Sequence, residues 1–201
     1  MTDPYRGVLD ALAGASWTVR ERSVEQALPW SRLWPAPLRE RYPNMPSALT
    51  GFLGRLDECV NEDDTAWFLT AADYAGTSGS AWAWNAWEQL ELESCQEEDD
   101  DEGAAEVRQF WNDYLPFYTD VGGDYGYFAV RVTGPKPVTD EWLPPGVRPL
   151  PEPRLGAVVH AEGDLRAISE VAPSFSEFLD FLAAAMRDPR QRSGGPLAGM
   201  I

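Results

Sequence analysis

The residues of this chain that could do chemistry fall into a few groups, and spacing decides what each can support. Gly122, Gly123 and Asp124 form a turn between aromatic runs in LPFYTDVGGDYGYFAV, residues 115–130. A phosphate cradle needs converging backbone N–H groups backed by a lysine or a helix N-terminus. Here an aspartate follows the glycines and opposes a phosphate, so a tight turn between two strands is the simpler account. In such a turn the glycines would supply positive φ, and the aspartate would bond its own backbone. Nucleophilic catalysis usually needs a base, and His160, the one histidine, lies in the strand-like AVVHAEG. Neither Cys59 nor Cys95 sits in a reactive motif, and GTSGS is no nucleophile elbow. Asp120 and Asp124, or the run from Glu97 to Glu102, offer oxygen ligands to a hard cation, but their spacing matches no calcium loop. The expectation is a chain without catalytic residues, cofactor or metal.

Charge is the strongest global signal. The formal net charge is −17, from 33 acidic and 16 basic residues. Such a field repels nucleic acid and anionic membranes and speeds encounter with basic proteins, although the same acidity would serve solubility alone. Ten carboxylates lie between Glu88 and Glu106, six of them consecutive. Like charges this dense read as a solvated loop. Glu97, Glu98, Asp99, Asp100, Asp101 and Glu102 are therefore the first candidates for contact with a basic partner, and Asp120 and Asp124 the next. Trp82, Trp84 and Trp87 are candidate aromatic anchors, with Trp82 and Trp84 on one side of a strand. The two cysteines read as reduced thiols. No signal peptide opens the sequence and no run of about eighteen apolar residues occurs, so a cytoplasmic protein is expected.

These residues need elements to hold them. Tyr5, Val8, Leu9 and Leu12 mark a short helix ending near Gly14, and Leu49, Phe52, Leu53, Leu56 and Val60 mark a stronger one after Pro46. Between them LPWSRLWPAPLRERYP reads as an irregular segment packed on the core. TAWFLT reads as a strand, AAEVRQFWNDYLPF as a short helix ending before Pro116, and residues 127–132 as a half-buried strand by their alternation. Seven prolines between Gly134 and Pro153 mark a long loop. LGAVVHAEGD is a further strand, closed by a turn at Glu162 to Asp164. Ser174 and Glu177 form a capping box for a closing helix that buries Phe175, Phe178, Leu179, Leu182 and Met186. The order gives an α+β fold: a mixed, mainly antiparallel sheet with helices packed on it. Three parts are expected: residues 1–45 packed on the core, a domain over 46–187 with acidic (88–106) and proline-rich (134–153) inserts, and a flexible tail over 188–201.

Taken in order, NMPSALTGFLGRLDEC, AWFLTAADYAG, LPFYTDVGGDYGYFAVRV, GAVVHAEGD and VAPSFSEFLDFL resemble the SMI1/KNR4 family of the SUKH superfamily, over about Pro46 to Met186. The acidic and proline-rich inserts depart from that pattern. The resemblance implies a mixed sheet with packed helices and no catalysis. It implies a protein-binding role, in bacteria as an immunity protein that binds and blocks a polymorphic toxin, and the acidic charge of this chain adds the expectation that the toxin domain is basic. The alternative is a regulatory or scaffolding module with a cellular partner unrelated to toxins.

Overall fold

The computed structural model describes residues 3–123, 125–134, 153–163 and 166–188. Its centre is a seven-stranded sheet in the order β1-β2-β3-β4-β5-β6-β7, antiparallel at every pairing. The strands are β1 (Thr18–Glu21), β2 (Leu56–Val60), β3 (Ala66–Phe68), β4 (Tyr114–Asp120), β5 (Gly126–Arg131), β6 (Val158–Glu162) and β7 (Ser169–Ala172). The helices are α1 (Arg6–Gly14), α2 (Trp30–Leu33), α3 (Ala36–Arg41), α4 (Ser47–Leu53), α5 (Ala71–Tyr74), α6 (Ala86–Glu97), α7 (Asp101–Asp113) and α8 (Phe175–Arg187). The α+β fold is thus present, with every strand antiparallel to its neighbours.

Two apolar layers hold it. On one face α1, α4 and α8 bury Leu12, Phe52 and Phe178 against Phe68, Phe117, Phe128 and Val130. On the other, α6 and α7 lay Trp87, Val107 and Trp111 over Tyr127, Ala129 and Val159. Alternation along β5 sends Phe128 and Val130 to the first layer and Tyr127 and Ala129 to the second. The closing helix is present with the five apolar residues on its buried face, and Ser174 Oγ accepts from the Glu177 N–H at 3.2 Å. The Glu177 carboxylate, however, accepts from Ser174 Oγ at 2.9 Å rather than from the backbone N–H a capping box would use.

Several expectations are corrected. The apolar set from Leu49 to Val60 is split: α4 stops at Leu53, and Leu56 starts β2. The break falls at Gly54, where a Cβ would stand 2.7 Å from the Leu28 carbonyl oxygen, so only glycine lets the chain pass. The segment expected to be irregular holds the short helices α2 and α3. The acidic stretch from Glu88 to Glu106 is not a loop but most of α6, a brief turn and the first half of α7. There Asp100 accepts from the Gly103 N–H at 2.9 Å, and Asp101 and Glu102 occupy the first turn, where the helix dipole favours anions. Because that hairpin covers the sheet, β5 is buried on both sides rather than half-buried. Trp82 and Trp84 lie in the loop before α6, not on a strand. Neither Gly122 nor Gly123 takes a left-handed φ. Gly122 is needed for close approach, since a Cβ would meet Thr65 Oγ1 at 2.8 Å. Asp124, Asp164, the loop over 135–152 and the tail from 189 lie outside the described residues.

Candidate functional site

The six consecutive carboxylates come together at one end of the α6–α7 hairpin, and all six are exposed. Glu97 ends α6, Glu98 and Asp99 make the turn, and Asp100 to Glu102 open α7. Asp99 takes a φ of 54°, the left-handed conformation an aspartate tolerates at a reversal. A cleft of about 510 Å³ runs between the two helices beside this turn, lined by Glu93, Cys95, Asp99, Asp101 and Arg108 among others. Among the described residues no cation forms an ion pair with the turn. Its chemistry is that of a solvated anionic knob: long-range attraction for a cationic surface, with little directional bonding of its own.

The tryptophans do not share that place. The hairpin turn lies beyond the C-terminal end of α6, a helix of 12 residues and so about 18 Å long, whereas Trp82, Trp84 and Trp87 lie at or before its N-terminal end. Trp87 is 2% exposed and packs between Trp82 and Tyr127, a core residue rather than a surface anchor. Trp84 is half-buried, with the Arg41 guanidinium 5.6 Å above its ring and Tyr42 edge-on at 6.1 Å. Trp82 is half-buried and stacks at 5.5 Å on Tyr125, which is half exposed. Asp120 uses Oδ1 to accept from the Gly122 N–H at 2.7 Å and thereby shapes the β4–β5 turn.

Of the residues tested for catalysis, His160 lies on β6 with its ring 4.6 Å from Phe128. It lines none of three clefts, those of about 510, 1180 and 490 Å³. Burial pushes the Cys59 thiol well up, which suppresses the thiolate that reactivity requires. No helix among the described residues is long and apolar enough to cross a membrane.

Sequence reasoning passed over a second acidic group, Glu62, Asp63 and Asp64 on the β2–β3 turn, all exposed. The signal was present as three carboxylates in NEDDT, directly before TAWFLT, but the longer run overshadowed it. Comparison with family models, with curated proteins and with solved structures returns no match.

Proposed function

We propose that this chain is a non-catalytic protein-binding domain of the SMI1/KNR4 kind, an immunity protein that captures and neutralises a basic toxin domain in the cytoplasm. The observation that carries the reading is the α6–α7 turn, where six consecutive carboxylates are exposed together at the end of a helical hairpin in a chain of net charge −17. Charge of one sign on an exposed knob raises the capture rate of an oppositely charged protein. The order of motifs resembling the SMI1/KNR4 family supports the same assignment.

The test uses the tagged full chain to capture proteins from its native lysate at low and at high salt, with the captured protein identified and purified. A basic toxin domain, bound less at high salt and inhibited by the purified chain, is the expected result. The variant Glu97→Lys with Glu98→Lys spares the Asp100 cap and should slow association several-fold at low salt. Capture of a salt-insensitive cellular complex, unaffected by that variant, would replace this reading with the regulatory one.

A further inference from the structure

The strand register sets Thr18, Val60, Trp67, Thr119, Tyr127 and Ala161 side by side across the sheet. All six point to the face that α6 and α7 cover, yet burial fades along the row. Ala161, Tyr127 and Thr119 are at most 1% exposed, Trp67 and Val60 are half-buried, and Thr18 is exposed. The hairpin therefore covers β4 to β6 and leaves this face of β1 to β3 open. Trp67 is half-buried and packs in part against the first apolar layer, but the rest of its ring borders this open face, and such surfaces mark contacts with other molecules.

The open face is concave. A cleft of about 490 Å³ has Val60 and Trp67 in its lining, with Ser78 and Ser80 from the loop after α5. Its rim is acidic. Asp57 and Glu58 line it but are already paired with Arg22 and Arg20, whereas Asp64 lines it with no ion pair among the described residues, and Glu62 and Asp63 are exposed on the same β2–β3 turn. That turn is fixed: Asn61 Oδ1 accepts from the N–H groups of Thr65 and Ala66 at 2.9 and 3.0 Å. Carboxylates are thus held beside an aromatic ring.

We propose that this open face, centred on Trp67, is the docking surface for a basic protein, whose arginine or lysine side chain lies over the Trp67 ring with the carboxylates of the β2–β3 turn around its charge. The inference rests on reading the partner as basic. A cation over an indole within about 6 Å is attracted by the ring, and nearby carboxylates add to it. The fold already makes this contact internally, with Arg39 5.2 Å from the Trp30 ring and Arg41 5.6 Å from that of Trp84. A second copy of this chain would bring its own −17 to the same rim and be repelled. In this arrangement the hairpin turn attracts the partner and the open face holds it.

The experiment is a nuclear magnetic resonance titration of the full chain with an arginine–glycine repeat peptide, and with its citrulline counterpart of the same shape but no charge. The arginine peptide should shift the Trp67 indole signal and residues 57–64 with saturation, and the citrulline peptide should not. Trp67→Ala should weaken binding roughly three- to tenfold. The exposed pair Glu62→Gln and Asp63→Asn should weaken it too and flatten its salt dependence, while melting like the parent. Shifts confined to residues 97–102 would overturn the open face and leave the basic-partner reading standing. No saturable shift anywhere would overturn both. A Trp67 shift that grows with protein concentration alone would make a second copy the occupant and overturn the proposal.

Discussion

Arg41 and Glu88, 47 residues apart in sequence, meet in a two-bonded ion pair, with Nη1 to Oε2 at 2.6 Å and Nη2 to Oε1 at 2.8 Å. The same guanidinium donates through Nε to Asn112 Oδ1 at 2.8 Å, so one side chain of α3 ties down both α6 and α7. The pair is largely covered, with side-chain exposures of 22% and 12%. Arg41→Met keeps much of the stem packing but strands Glu88, and should cost about 2 kcal/mol, less than a fully buried pair because some solvent reaches this one. Glu88→Gln retains a hydrogen-bond acceptor and should cost about 1 kcal/mol. Urea unfolding checks both, and two values near zero would reduce the contact to an ordinary surface pair.

Arg55 is 3% exposed and donates to Asp3 Oδ2, Glu21 Oε2 and the Arg22 carbonyl oxygen, each at 2.6 Å. Burial alone would raise the Asp3 carboxyl, but the Arg55 guanidinium, the Tyr5 N–H and Arg6 outweigh it and hold the group below its ordinary 3.8. A carboxyl depressed by folding contributes stability that is present above its unfolded pKa and is lost as pH falls through the lower folded value. Asp3→Asn should therefore destabilise the chain at neutral pH and flatten the loss of stability below about pH 4. Denaturant midpoints measured down the acid limb decide it; parallel curves for parent and variant would remove Asp3 from the linkage.

Tyr74 and Tyr118 are both buried, but their hydroxyls differ. Tyr74 donates to the Pro116 carbonyl at 2.8 Å, whereas the Tyr118 hydroxyl has no hydrogen-bond partner among the described residues. Tyr74→Phe should cost about 1 kcal/mol, and Tyr118→Phe should be neutral or stabilise by a similar amount. Burial pushes both phenols well up. Their contribution to stability is present below about pH 10 and is lost as pH rises toward their folded values, so their tyrosinate absorbance should appear together with unfolding. Substitutions of the same sign and size would refute the distinction between the two hydroxyls.

Local patterns made α1 and α8 legible, because each places its apolar residues on one helical face and Ser174 supplies its own cap. They misled where tertiary partners decide. Leu56 continues the helical spacing of Phe52 and Leu53, but Gly54 passes against Leu28 and β1 offers a pairing edge, so the chain becomes a strand. β1 itself, four residues of TVRE, carries too little pattern to read. Repulsion alone makes the acidic run look like a loop. That reading missed that Asp100, Asp101 and Glu102 stand where a helix N-terminus favours them, while Val107 and Trp111 give α7 an apolar face to bury. The misreading of β5 as half-buried follows directly, since the missing cover was that hairpin. For the candidate site, the charge was legible but its geometry was not. Nothing local says that α6 separates the acidic turn from the tryptophans, or that Trp67 faces an uncovered half of the sheet.

The two cysteines report on that half of the sheet. Cys59 lies in β2, 1% exposed, and burial pushes its thiol up, while Cys95 is half-buried on α6 beside the cleft between α6 and α7. Since the thiolate is the reacting form, a disulfide reagent should label Cys95 readily and leave Cys59 protected by about a hundredfold or more. Cys59 packs into the first apolar layer and borders the cleft beside Trp67, so its reaction rate measures how often the packing around β2 opens. A basic peptide seated over Trp67 covers that cleft and should slow Cys59 further without changing Cys95. Labelling of Cys59 at the rate of Cys95 would mean that β2 is not held, and a docking face built on it would lack the rigidity its turn of carboxylates needs.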